Sequence, residues 1–199
     1  MSTHFIFPLI VFAIMSCATP GPNTLMLATS GVNFGFRLSI PYSTGIIIGR
    51  ILLQVSVIFF LGIFFTSFPN AQTALKIIGS LYLLYLSYKI ATTKSINTQN
   101  NSSSTPLTFT QAAFYQFLNP KVWTNTTTAA SVFILDNEYF YFYAFTIIGV
   151  FAVISLISNS IWVLFGIQLS KFVNSSLNLY IFNLTMGVLN AACIILIWI

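Results

Sequence analysis

Apolar positions fall in six long stretches along the chain, at about 5–29, 41–65, 74–90, 107–135, 139–168 and 177–199, set apart by short polar or charged punctuation. A membrane helix needs about 20 such residues to cross a hydrocarbon core of roughly 30 Å. The pattern predicts an all-α integral membrane fold of six transmembrane helices. The longest polar stretch, "TTKSINTQNNSSSTP" at 92–106, reads as a flexible connection between a first half (1–91) and a second half (107–199) of one transmembrane domain.

Two stretches are interrupted. "ATPGPN" (18–23) places Pro20, Gly21, Pro22 and Asn23 inside the first. Proline lacks an N–H and displaces the carbonyl four residues back, so Pro20 is expected to free the carbonyl of Ser16 and Pro22 that of Ala18. Asn23 is then the expected N-cap of a short second helix. "FLNPKVW" (117–123) interrupts the fourth stretch: Asn119 fits an N-cap, Pro120 a first helical position, and Pro120 is expected to free the carbonyl of Gln116. Lys121 follows, deep in an apolar segment, where a charge points to function. In hydrocarbon, irregular backbone survives only against protein or a watery cavity. Broken first and fourth helices of six therefore predict two three-helix inverted repeats whose breaks meet at a substrate site. The halves are not in simple register, with 17 positions from Phe5 to Pro22 and 13 from Leu107 to Pro120.

Composition strengthens the membrane reading. Of 199 residues 57% are hydrophobic and 5% charged, with mean hydropathy +0.90, which leaves too little charge to coat a soluble surface. The seven Lys and Arg are scattered and form no basic patch, so no nucleic-acid partner is expected. Their distribution sets orientation: with the N-terminus outside, Arg37, Lys89, Lys94 and Lys171 face the cytoplasm, whereas Lys76, Asp136 and Glu138 face out. The lipoprotein-like Ile14–Met15–Ser16–Cys17 has no basic residue before it, and the first helix is expected to be retained. Cys17 and Cys193 read as small apolar side chains, and His4 is alone, so no metal and no cofactor is expected. Tyr42, Tyr82, Tyr85, Tyr88, Tyr139, Tyr141, Tyr143 and Trp198 are candidate interface anchors.

The candidate chemistry is that of a zwitterion. The helix N-termini at Asn23 and Asn119 carry partial positive charge and free N–H groups for an anionic group, with Lys121 adding a full charge. The freed carbonyls suit a cation. Arg50, about ten residues into the second stretch, is a further candidate, with snorkelling as its structural alternative. Asn159 and Trp162, three apart on one helix, are the next candidates for the lining. No Asp or Glu lies within any of the six stretches. Proton coupling would therefore have to use Lys121 or the substrate itself, arginine staying charged.

"TPGPN" (19–23), "GVNFGFRLSIPYSTGIIIG" (31–49), "KIIGSLYLLYLSYKI" (76–90) and "FLNPK" (117–121), in this order, resemble the lysine-exporter (LysE/RhtB-type) family of bacterial amino-acid efflux proteins. "NSIW" (159–162) is similar to a branch that exports cysteine-like or related neutral amino acids. The resemblance implies a bacterial inner-membrane exporter of about six helices, coupled to the proton gradient, with Pro20, Gly21, Pro22, Asn23, Asn119, Pro120 and Lys121 carried over as site residues and Gly31, Gly35, Phe36 and Arg37 in a cytoplasmic turn. Arg50 departs from the family pattern, which is mainly apolar there. The partners so implied are a small amino acid and the lipid bilayer, with a homodimer left open. Export of another solute such as a metal ion, or a non-transporting scaffold, remains the alternative. No nucleophile–base pair can be assembled for an enzyme.

Overall fold

The computed structural model describes residues 4–61, 69–93, 105–134, 138–173 and 175–195. Among them the chain is helical and has no strand. The helices are α1 (Ile6–Ala18), α2 (Pro22–Ser56), α3 (Pro69–Ala91), α4 (Phe109–Leu118), α5 (Pro120–Phe133), α6 (Phe140–Ser170) and α7 (Ser176–Ala192), and a π-helical turn, Val57–Leu61, extends α2.

α2 is two arms rather than one rod. Gly35 sits at φ 73°, ψ −176°, a backbone region that essentially only glycine occupies. The Tyr42 hydroxyl donates to Met26 Sδ at 2.7 Å, and the Ser30 and Ser39 hydroxyls lie 2.7 Å apart. In a straight helix residues 26 and 42 would be about 24 Å apart. The chain therefore reverses at Gly35 and packs 22–34 against 36–56. The expected turn is centred here, but Gly31 lies inside the first arm, where a Cβ would overlap the Val163 carbonyl of α6. Gly166 of α6 is equally close to the Ala28 backbone. α6 thus lies directly on this arm.

Polarity runs inside out. Buried positions include Ser155, Asn159, Asn183, Asn190, Gln54, Gln116 and Arg50, whereas Phe7, Ile78, Leu81, Leu156, Ile161 and Leu164 are exposed. Such an apolar exterior suits lipid, and the buried polar groups serve as interhelical ties. Asn183 of α7, for example, donates to Asn33 Oδ1 at 2.8 Å and to the Thr93 carbonyl at 2.9 Å. Among the described residues two helices are long and apolar enough to cross a bilayer, Pro22–Phe59 (hydropathy 1.6, reversing at Gly35) and Phe140–Ser170 (hydropathy 2.2).

Of the expected interface tyrosines, Tyr88 and Tyr141 are exposed, but Tyr42 and Tyr143 are core residues. Trp198, Lys94 and Asp136 lie outside the described residues. The core has two main apolar clusters. One joins α1, α5 and α6 around Leu9, Ala129 and Ile147. The other joins α2, α3 and α4 around Leu27, Leu86 and Tyr115.

Candidate functional site

Between these clusters lies a pocket of about 380 Å³, counting its open mouth. Both interruptions line it. Ser16, Cys17 and Thr19 come from the C-terminal end of α1, Gly21, Pro22, Asn23 and Thr24 from the start of α2, and Asn119, Lys121 and Val122 from the start of α5. Arg50 of α2 and Ser155 and Asn159 of α6 close it.

The second break is built as expected. Asn119 has extended backbone and accepts from the Lys121 N–H at 3.1 Å, and Pro120 takes the first helical position. Its expected freed carbonyl is a correction: the Asn119 N–H reaches the Gln116 carbonyl at 3.4 Å, closing α4 with a shorter-range bond. The first break is built differently from expectation. α2 begins at Pro22, with Gly21 as the cap residue, because proline's fixed φ suits the first position. Thr24 closes the end, accepting from the Gly21 N–H at 2.8 Å and donating to the Gly21 carbonyl at 2.9 Å. Asn23 is therefore no N-cap. Its side chain instead joins the two breaks: Asn23 Nδ2 donates to Gln116 Oε1 at 2.8 Å, and Gln116 Nε2 returns a bond to Asn23 Oδ1 at 3.2 Å.

Arg50 does not snorkel. It is 6% exposed, its Nη1 donates to Cys17 Sγ at 2.9 Å, and its guanidinium carbon lies 5.5 Å from the Phe151 ring centroid. Its Nε is buried without a partner. Cys17, expected to be an inert apolar side chain, is thus polar-bonded, with Ser155 Oγ a further 3.5 Å from its sulfur. Ser158 donates to the Cys17 carbonyl at 3.0 Å. Lys121 Nζ donates to the Thr19 carbonyl at 2.9 Å and to Thr19 Oγ1 at 2.8 Å.

Among the described residues lining the pocket, neither cation meets a carboxylate. The sequence has two acids, Asp136 and Glu138, and both follow the far end of α5. The helical rise from Lys121 to Phe133 is about 18 Å. Two positive side chains and two helix N-termini thus converge on one pocket that holds no carboxylate among the described residues. The buried charge of Arg50, left so, is costly and favours a bound anion.

The pocket gathers Gly21, Pro22, Asn23, Arg50, Asn119, Lys121 and Asn159 among the sequence candidates. It does not gather Pro20, Pro120 or Trp162. The two prolines act on the backbone of the breaks. Trp162 is half-buried against the cluster around Leu27, its ring edge-on to Phe165 at 5.7 Å. The reason is rotational. α6 buries Phe151, Ser155, Ser158, Asn159, Val163 and Gly166, and three residues on from Asn159 is about 60° away round the helix. Sequence reading missed the side chains of Thr19, Thr24 and Gln116 at the site, and it favoured helix packing over the cavity for Ser155. Thr24, three residues after a glycine cap, carried a local signal; the others did not.

A family model described as LysE type translocator matches residues 14–197. The chain belongs to the LysE type translocator family. It is a membrane transporter, not an enzyme. Curated relatives of this translocator include the cysteine/O-acetylserine efflux proteins of Escherichia coli (strain K12), Shigella flexneri serotype 5b (strain 8401) and Shigella sonnei (strain Ss046). Each is 28% identical over 158 residues, 78% of this chain and 78% of the relative. No solved structure matches the translocator.

Proposed function

We propose that this translocator exports small neutral amino acids of the cysteine and O-acetylserine class from the bacterial cytoplasm, binding them as zwitterions in the pocket between the two breaks. The observation that carries this is the pair Arg50 and Lys121, both lining the pocket and neither facing a carboxylate there. A substrate carboxylate would supply the missing charge, and the N-termini of α2 and α5 would add N–H donors. The similar efflux proteins of Escherichia coli and Shigella are named for substrates of this kind.

The reversal at Gly35 supports a six-span reading. α1 with 22–34 forms the first span, 36–61 the second and α3 the third; α4 with α5, α6 and α7 form the second half. Each half then opens with an interrupted helix, in keeping with an inverted repeat and with alternating access about the breaks. All six spans make one transmembrane domain, the two halves joined by 92–106. The ties of Asn183 to Asn33 and to Thr93, with the contact of Gly166 on Ala28, support Arg37, Lys89 and Lys171 lying at one end. By the positive-inside rule that end is cytoplasmic in the inner membrane, and the N-terminus is outside. Proton drive fits an exporter, and with no acid in any span it would run through Lys121 or the substrate. Export of a soft metal lacks ligands, since no group of three His, Cys, Asp or Glu residues is present among the described residues.

The test is a dipeptide challenge in cells lacking cysteine exporters. Expression of the chain is expected to lower intracellular cysteine or O-acetylserine, and Lys121→Ala, inserted at normal level, to abolish that drop. Unchanged pools on expression of the wild-type chain would refute the reading.

A further inference from the structure

The ammonium of Lys121 occupies an unusual place for a cation that is expected to meet a substrate carboxylate. It sits on the C-terminal end of α1, the negative end of that helix's dipole. Both of its bonds go to Thr19, one to the carbonyl and one to the hydroxyl. The next carbonyls back share this character. Pro20 and Pro22 have no N–H to give Ser16 and Ala18 in helical register, and the Thr19 hydroxyl reaches the Ser16 carbonyl at 3.4 Å. The Cys17 carbonyl is met by the Ser158 hydroxyl from another helix. Space is limited on the other side as well: a Cβ on Gly21 would approach Lys121 Nζ to 3.3 Å. The pocket is thus divided by sign. Acceptors gather at the end of α1, whereas Arg50 and the starts of α2 and α5 gather donors.

We propose that the end of α1 at Thr19 is a primary-ammonium subsite, that Lys121 fills it in the empty translocator, and that the α-amino group of a bound amino acid takes the place of Lys121. Exchange of one ammonium for another leaves the charge at Thr19 unchanged. The displaced lysine, four methylenes long, then swings to the substrate carboxylate beside Arg50, whose Nε is without a partner. A carboxylate without an amine would leave Lys121 on Thr19 and meet Arg50 alone. The empty carrier is thereby held by its own lysine, and both ends of a zwitterion are needed to release it. The orientation of the amino acid rests on the proposed function; the amine subsite does not.

The experiment is chemical rescue of the full chain in detergent, read as the thermal unfolding midpoint. Lys121→Ala leaves the acceptors at Thr19 empty. Ethylammonium chloride is expected to raise that variant's midpoint by about 4 °C at ten times its Kd. Tetramethylammonium chloride, which has no N–H, is expected to leave it unmoved, and the wild-type chain, its subsite filled, to respond to neither. Lys121→Ser carries the same expectation where the alanine variant does not yield folded protein. An equal response to the two cations, or an equal response of wild type and variant to ethylammonium, overturns the proposal. Rescue by ethylammonium together with absent efflux in cells would uphold the subsite and sink the export reading; efflux without rescue would do the reverse.

Discussion

Asn23 and Gln116 form a direct side-chain tie between the two interrupted helices, and a double-mutant cycle on the pair measures it. Two amide bonds of 2.8 and 3.2 Å join them, and Gln116 is fully buried, its Nε2 also donating to the Ala112 carbonyl at 2.9 Å. Asn23→Ala removes both of these bonds and strands the buried Gln116 Oε1. An orphaned buried acceptor costs about 1–3 kcal/mol, while side-chain ties between membrane helices are worth about 0.6 kcal/mol on average and up to about 1.7. The single variant is therefore expected to lose about 1–2 kcal/mol. Gln116→Leu removes the orphan along with the tie. Adding Asn23→Ala to it is expected to cost little, which gives a coupling of about 1–1.5 kcal/mol. The assay is reversible unfolding of purified protein in mixed micelles, followed by circular dichroism as the SDS mole fraction rises. Coupling below about 0.3 kcal/mol, the scatter for independent sites, would refute the junction of the breaks.

Two further predictions follow from the same geometry. Gly35→Ala puts a Cβ on backbone at φ 73°, and is expected to cost about 1–3 kcal/mol in the same unfolding assay; an unchanged midpoint would speak against the reversal there. Gln54 is 1% exposed with both amide atoms unpartnered, so Gln54→Leu is expected to stabilise the protein by about 1 kcal/mol, read by the same transition.

The sequence exposed what is written locally. Pro20-Gly21-Pro22 and Asn119-Pro120 ended and restarted helices where proline chemistry requires it, and Asn119 caps α5 as its position implies. Arg50 and Lys121 stood out because charge is rare in such stretches. What stayed illegible depended on partners distant in the chain. Asn23 read as a cap because its preference for that role is local, yet its partner Gln116 is 93 positions away. Cys17 read as apolar because nothing nearby announces Arg50, which reaches it across 33 positions, or Ser155, across 138. Tyr42 looked like an interface anchor near a segment end, but the reversal at Gly35 turns it inward onto Met26.

The central claim is that Arg50 and Lys121, with the two helix breaks, form an amino-acid site, and flux through the purified protein tests it most directly. Liposomes containing the wild-type chain and loaded with radiolabelled cysteine under reducing conditions are expected to lose label faster than protein-free liposomes. Arg50→Gln, which keeps a polar side chain but removes the charge, is expected to slow that loss at least tenfold. Equal loss from wild-type and Arg50→Gln liposomes, or no loss beyond the protein-free rate, would contradict it.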